Sequence, residues 1–287
     1  MRKRISLAAV FLCFTAGMTR SAAAQTSAIG TIDFVARVTP SGGRAEPVRG
    51  LEFYLLRKSL DDIRAEAEKA DPPPDMDHFI DTLDVSAQLK AWMKTHRTVD
   101  LKGTDFTSHL TGDEIVGIPE FFDAYKTLNG GSTGGGYPQP KYKESDKTKN
   151  PKKYELERQQ YIDTMRRFVQ KNPDSLSGLD VELADKNPGR KWAQLLAEQK
   201  QRIEHRALQM AQSVYLAAQT ESGADSRGSF QGLAPGNYWL TTLDTPALAG
   251  DVRLEWDLPV TVRPGETTRV ELSNVNAVES AALPTAY

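Results

Sequence analysis

The stretch Gly228-Ser-Phe-Gln-Gly-Leu-Ala-Pro-Gly-Asn-Tyr-Trp-Leu240 predicts a turn followed by a strand. Pro235 can set the φ angle of the second residue of a turn, and Gly236 can take the positive φ of the third, so the pair predicts a type II turn. From Tyr238 onward apolar side chains alternate with others, which predicts a half-buried strand. Because a few short strands cannot form a stable core alone, this stretch needs partners from elsewhere in the chain.

Those partners are predicted at both ends of the chain. Thr31 to Val38 alternates with its even-numbered residues apolar, and Leu51 to Leu56 gives a second strand. Near the other end, Val252 to Val262 places an apolar side chain at every even number, and Thr268 to Leu272 forms the last apolar face. We therefore expect strands before residue 59 and after residue 222.

Between these ends the apolar residues follow a helical period. Ser59 followed by Asp62 predicts a helix start, Thr111 to Glu114 matches a capping box, and Asn150-Pro151 can cap and begin another helix. A long helix is expected from Asn187 to about Thr220. Residues 59–222 are thus predicted to be an all-helical insertion.

Residues 129–150 interrupt this helical pattern. The segment begins with a glycine tract, and four lysines follow it: Lys141, Lys143, Lys147 and Lys149. Glycine-rich and charged sequences bury little apolar surface, so we expect a mobile loop. A charge run beside glycines is most typical of a solvated linker, with an acidic partner as the alternative.

The amino terminus has the layout of a secretory signal peptide. The basic residues Arg2 to Arg4 precede an apolar run from Ile5 to Gly17, and small residues at Ser21 to Ala24 precede Gln25. We expect cleavage after Ala24, so residues 1–24 are the signal and the protein is exported to the periplasm or the extracellular space.

Charge and hydropathy limit the partners of the exported chain. The signal contains four basic residues and no acid, so its removal shifts the formal net charge from −2 to −6. An acidic protein is a poor candidate for binding nucleic acid. No later segment approaches the roughly 20 apolar residues of a membrane-spanning helix, so no transmembrane segment is expected.

The sequence resembles one known family. The motif Gly228-x-Phe230-x-x-Leu233-x-Pro-Gly-x-Tyr238 and the strands that follow it are similar to carboxypeptidase regulatory-like domains, which are classed with prealbumin-like, starch-binding-like and Cna protein B-type modules. The resemblance covers about 90 residues at the two ends of the chain. It implies an α+β fold in which an Ig-like, prealbumin-like β-sandwich is assembled from residues 25–58 and 223–276. Residues 59–222 are the insertion and 277–287 a tail.

The resemblance implies a non-catalytic interaction module, without a cofactor, that binds protein or cell-envelope material. Some similar modules bind carbohydrate on exposed aromatic side chains, and Tyr54 and Trp239 are the candidates for that alternative because each points away from the more apolar side of its strand. Trp256 shares its face with aliphatic residues and is expected in the core.

An enzyme with its site in the helical insertion is the second alternative. His78, His96 and His109 are candidate ligands of a composite zinc site, although no two histidines have the spacing of a helical metal motif. Because no catalytic constellation stands out from the sequence, we expect neither a metal nor enzymatic activity.

The signal-peptide interpretation has a direct test. When the full chain is expressed with export, the intact mass of the secreted protein should equal the sequence from Gln25, less one ammonia if that glutamine cyclises. Retention of residues 1–24 or an added acyl mass would contradict it.

Overall fold

The computed structural model describes residues 28–130 and 136–279. The predicted signal peptide lies outside these residues. The chain divides into two compact units, one from Met1–Ser59 and Leu216–Tyr287 and the other from Leu60–Tyr215, which we call the β unit and the helical unit. Together they make a mixed α/β protein with several antiparallel sheets. In the part of the chain described, no helix combines the length and the hydropathy needed to cross a membrane.

The β unit forms two main sheets and one small sheet. Its strands are β1 Gly30–Val38, β2 Glu46–Pro47, β3 Glu52–Leu56, β4 Leu216–Glu221, β5 Arg227–Leu233, β6 Gly236–Thr241, β7 Ala247–Ala249, β8 Val252–Glu255, β9 Asp257–Val262, β10 Thr267–Leu272 and β11 Val278–Glu279. β1 lies between β5 and β10, and β2 pairs with its end. The second sheet has the order β4-β3-β6-β9, and the small one β11-β8-β7. β1 and β10 are parallel, whereas the other pairs are antiparallel.

One hydrophobic core joins the two main sheets. The inward residues of β1, among them Ile32 and Phe34, lie in the same cluster as Phe53 and Leu55 of β3 and Leu240 of β6. The Phe34 ring lies 4.5 Å from that of Phe53 and 5.8 Å from that of Phe230. The predicted strands from both chain ends therefore share one core.

Gly228 is required by this core. A Cβ at this position would lie 2.2 Å from Cζ and 2.5 Å from Cε1 of Phe34, which pairs with it across β1 and β5. Real Cβ atoms essentially never come that close to another side chain. The first glycine of the motif thus makes room for an aromatic ring contributed by the other end of the chain.

The predicted type II turn at Pro235-Gly236 is wrong. Gly236 has a φ of 159° instead of the value near 80° that this turn requires, because it already pairs with Val262 as the first residue of β6. The chain reversal is held instead by the Tyr238 hydroxyl, which donates a hydrogen bond of 2.8 Å to the Ala234 carbonyl.

The alternating stretch from Val252 to Val262 is two strands in different sheets. β8 ends at Glu255 and β9 begins at Asp257, with Trp256 between them. Trp256 is only 1% exposed, which confirms its predicted place in the core, and its Nε1 donates to the Ser273 carbonyl at 3.1 Å. Periodicity alone cannot reveal the break, because both strands keep their apolar residues on the same parity.

The helical unit contains no strand among residues 60–130 and 136–215. Its helices are α1 Leu60–Ala70, α2 Met76–Asp81, α3 Ala87–His96, α4 Gly103–Ser108, α5 Gly112–Gly117, α6 Pro119–Asn129, α7 Asp146–Lys149, α8 Pro151–Lys171, α9 Leu179–Glu182 and α10 Gly189–Met210. The predicted capping box at Thr111 and Glu114 is present, and Asn150 caps α8 as predicted. A second core, with Met93, Phe121 and Met165 fully buried, joins α3, α6 and α8.

The prediction that the last long helix reaches Thr220 is wrong. α10 ends at Met210, a π-helical turn covers Ala211–Tyr215, and Leu216–Glu221 form β4. These residues, predicted as part of the insertion, pair with β3 in the β unit. Leu, Ala and Gln favour helices locally, so pairing with a partner strand overrides their propensity.

Part of the segment predicted as a mobile loop, residues 129–150, contacts the helical core. Tyr137 and Tyr142 pack against the core of the helical unit, and residues 146–149 form α7. Residues 131–135 lie outside the described part. The glycine and lysine content suggests solvation, whereas the two tyrosines supply apolar surface that packs against the core. Likewise, Val278 and Glu279 of the predicted tail form β11, while residues 280–287 lie outside the described part.

A half-buried carboxylate links α3 to α5 in the helical unit. Glu114 accepts hydrogen bonds from Trp92 Nε1 at 2.8 Å and from the backbone and hydroxyl of Thr111 at 2.7 and 2.8 Å, and His96 Nε2 lies 3.1 Å from it. Burial raises the pKa of Glu114, but these hydrogen bonds and the nearby His96 outweigh it, so its pKa falls below 4.5. The charged form of Glu114 therefore stabilises the fold.

We predict that Gly228→Ala destabilises the β unit by about 1–3 kcal/mol, because the new methyl group overlaps the Phe34 ring. Urea denaturation compares it with Gln231→Ala, an exposed substitution on the same strand. Adding Phe34→Leu to Gly228→Ala should recover part of the free energy of unfolding that the new methyl group removes. Equal stability of the two single variants would contradict the close contact.

We predict that Glu114→Gln lowers the free energy of unfolding at pH 7 by about 1–2 kcal/mol, since a charged hydrogen-bond acceptor is lost. The folded-state pKa is depressed, so the contribution is present above pH 4.5 and is lost as pH falls through the folded pKa. The gap to wild type should thus narrow at acid pH. Far-UV circular dichroism in urea measures it, with exposed Glu155→Gln as control. A gap that does not change with pH would contradict the proposed role of the charge.

Candidate functional site

The candidate site is a groove on the outward face of the β5-β1-β10 sheet. The alternation that buries Ile32 and Phe34 turns Asp33, Val35 and Arg37 to the opposite face. The groove has a volume of about 770 Å³. Its polar lining comes from all three strands and consists of Asp33, Arg37, Arg227, Ser229, Arg269 and Glu271.

Strand register fixes the order of these side chains. Asp33 lies opposite Ser229 on one side and Arg269 on the other. One step along β1, Val35 lies between Arg227 and Glu271. Arg37 follows two residues further on the same face. Each of the three strands thus contributes one arginine to the groove.

The three guanidinium groups have few partners of their own. Arg37, Arg227 and Arg269 are exposed, and among the described residues the shortest ion pair of any of them is 3.8 Å, between Arg227 and Asp225. Asp33 accepts a hydrogen bond of 2.8 Å from the Ser229 hydroxyl. The arginines therefore present several N–H donors to the groove.

This arrangement suits anionic groups spaced along an extended ligand. A guanidinium group binds carboxylate or phosphate through two parallel hydrogen bonds. Asp33 and Glu271 in the same groove repel a ligand of uniformly high negative charge. The chemistry therefore favours a ligand with separate acidic groups over a dense polyanion.

The structure places Tyr54 and Trp239 on one face of the second sheet. Tyr54 lies opposite Thr241, and Trp239 lies opposite Leu56 on the next step of the ladder, so the two aromatic residues are diagonal neighbours. Both are half-buried. The Tyr54 hydroxyl donates to Glu52, and this bond together with burial raises the pKa of Tyr54 to about 12.

The surface between these two aromatic residues is closed. Leu56 and Thr241 lie on the same steps of the ladder, and both are 0% exposed. A sugar-binding platform needs adjoining aromatic faces that are open to a flat ligand. Tyr54 and Trp239 are thus close in space, but the residues beside them are not accessible.

The three candidate zinc ligands are not brought together. His78 is exposed in the first turns of α2, His96 stacks on Trp92 with ring centroids 4.4 Å apart, and His109 Nδ1 lies 2.6 Å from the Asp105 carbonyl. Over residues 28–130 and 136–279, no group of three or more His, Cys, Asp or Glu side chains could hold a metal ion. The three histidines lie on or at the end of three different helices, α2, α3 and α4, which pack through their apolar faces.

A second concave surface lies between α1 and α10 in the helical unit. Its volume is about 530 Å³, and its polar lining includes Asp71, Arg202, Arg206 and Ser213. Arg202 binds Asp71 at 2.8 Å, and the Ser213 hydroxyl donates to the Gln209 carbonyl at 2.6 Å. The lining residues do not pair a nucleophile with a base, so this surface lacks the geometry of covalent catalysis.

Sequence reasoning missed the arginine groove. The alternation of β1 did place Asp33 and Arg37 on its outward face, and the same pattern in β10 gives Arg269 and Glu271. The alternation does not give the order of the strands in the sheet. Only that order brings Arg227 and Arg269 to either side of β1.

Comparison with known proteins does not identify a family for this chain. No protein-family model matches the chain, and a search of curated proteins finds no match.

Proposed function

We propose that this protein is an exported, non-catalytic interaction module of the carboxypeptidase regulatory-like type, and that it binds a protein segment bearing spaced acidic side chains. The observation that carries the proposal is the groove lined by Arg37, Arg227 and Arg269, whose shortest ion pair with any described residue is 3.8 Å. Binding of the acidic segment would supply the missing carboxylates.

The family part of the proposal is supported by the β unit. Two sheets share one core, as in a prealbumin-like sandwich. The hydrogen bond from the Tyr238 hydroxyl to the Ala234 carbonyl resembles the tyrosine corner of β-sandwiches with Greek-key connections. Both features involve residues of the motif on which the resemblance rests.

The choice of a protein partner follows from the mixed charge of the groove. A segment that carries a basic residue among its acids would pair with Asp33 or Glu271 as well as with the arginines. Arginine adds geometric selectivity, because its planar fork binds a carboxylate in a defined orientation. A small anion would use only one of the three guanidinium groups.

Carbohydrate binding is the second candidate, favoured by the diagonal placement of Tyr54 and Trp239 on one face. The full burial of Leu56 and Thr241 beside them makes it the weaker one. It also differs in its test, since it depends on Trp239 and not on the arginines.

A peptide selection tests the main proposal. A random peptide library displayed on phage is selected against the exported chain. We expect enriched peptides to contain several Asp or Glu residues and to bind the variant Arg37→Gln/Arg227→Gln/Arg269→Gln at least about tenfold more weakly, which corresponds to 1.4 kcal/mol.

The matched control is a second triple variant, in which Gln replaces three exposed arginines of the β unit outside the groove: Arg49, Arg253 and Arg263. It has the same net charge and should bind like wild type. Peptides without acidic enrichment, or equal losses in both variants, would refute the groove as the site. Retention of a neutral polysaccharide that is abolished by Trp239→Ala would favour the carbohydrate alternative.

A further inference from the structure

A dense positive surface lies on the helical unit. It is formed by six exposed lysines within thirteen residues: Lys141, Lys143, Lys147, Lys149, Lys152 and Lys153. We call this set the lysine surface. The same thirteen residues contain two acids, Glu144 and Asp146. A local excess of four positive charges therefore stands on a protein whose expected mature net charge is −6.

The lysine surface belongs to a fixed segment. The Tyr142 ring packs edge-on against Tyr154 and Tyr161, with centroids 5.3 and 5.9 Å apart. The Tyr154 hydroxyl donates to Glu144 at 3.0 Å, and the Asn150 side chain caps α8. A solvated linker has no such contacts, so the segment that carries the lysines packs against the helical unit and exposes their side chains.

The placement of these lysines opposes local stability. Lys152 and Lys153 occupy the first turn of α8, where the helix dipole disfavours positive charge, and that turn holds no acid. The Glu144 carboxylate accepts a hydrogen bond from the Tyr154 hydroxyl, and Glu157, at 3.8 Å, is the one ion-pair partner of Lys153 among the residues that the structure describes. Positive charge placed against the helix dipole is a local cost, and such departures from local rules are expected at functional or strained sites.

We propose that the lysine surface binds an anionic polysaccharide. Lysine presents a hydrated point charge on a flexible stem, so a set of lysines responds to charge density more than to the shape of one anion. A polymer with closely spaced carboxylate or sulfate groups matches six exposed positive charges within a segment of thirteen residues. An anionic polysaccharide is also a ligand that an exported protein meets.

Two other polyanions match the surroundings less well. Single-stranded nucleic acid stacks its bases on exposed aromatic rings, whereas Tyr142 is half-buried and Tyr154 is buried in their mutual contact. A membrane surface takes up apolar side chains beside the basic ones, and Leu156, at 61% exposure, is the single large apolar side chain exposed in residues 141–158.

The inference is independent of the arginine groove. The lysine surface lies wholly in the helical unit and the groove wholly in the β unit. The two sites also differ in chemistry. The groove contains acids that repel a dense polyanion, whereas the lysine surface presents an excess of positive charge. Loss of one binding activity should leave the other intact.

Calorimetric titration of the full exported chain with heparin, a sulfated polysaccharide, and with polygalacturonate tests the proposal. The variant Lys147→Gln/Lys149→Gln/Lys152→Gln/Lys153→Gln should bind heparin at least about tenfold more weakly at 50 mM salt. Its slope of log K against log salt concentration should be smaller by about 3, because fewer counterions are released.

In the control variant, Gln replaces four exposed lysines of the helical unit outside the lysine surface, so the net charge changes by the same amount. They are Lys69, Lys171, Lys191 and Lys200. It should bind like wild type, and uncharged dextran should not bind at all. Absence of heparin binding by wild type, or equal losses in both variants, would overturn the proposal. Tighter binding to phosphatidylglycerol vesicles or to oligo-dT than to heparin would replace the polysaccharide by a membrane or a nucleic acid.

Discussion

The structure depends on the position of β1 between two strands from the far end of the chain. β1 pairs with β5 on one side and with β10 on the other, so residues after Leu216 supply the partners of most of both its edges, and β2 pairs with its last residues. Phe34 lies at the middle of this arrangement, under Gly228 and against Phe53. The β unit cannot form its core until both chain ends are present.

The helical unit makes this long-range pairing less costly. α1 and α10 pack together, with Arg64 bound to Glu204 at 2.9 Å and the Tyr215 hydroxyl bound to Glu66 at 2.7 Å. These contacts hold the two ends of the helical unit near each other. Closing a folded insertion with adjacent ends costs less entropy than closing a flexible loop of the same length. The Cα pairing of Leu56 with Leu216 can then form next to the point where the chain leaves and returns.

The two units offer different kinds of positive charge. The groove of the β unit combines arginines with acids on a rigid sheet, which suits an extended ligand whose charges occur in a particular order. The lysine surface of the helical unit has few acids, which suits a ligand with many charges and no particular order. A binding protein that uses both would select its ligand by charge order at the groove and gain electrostatic attraction to a polyanion at the lysine surface.

Most of the local elements and the mixed α/β class of the fold could be predicted from the sequence alone. The alternation in residues 31–38, the capping box at Thr111 and the start of α8 at Asn150 each depend on neighbouring residues, so they could be predicted. The tertiary structure decided what depends on distant contacts: the strand state of Leu216–Glu221, the change of sheet at Trp256 and the packing of Tyr137 and Tyr142. It also decided the candidate site, because an arginine on a polar strand face has no partner arginines until the order of the strands is known.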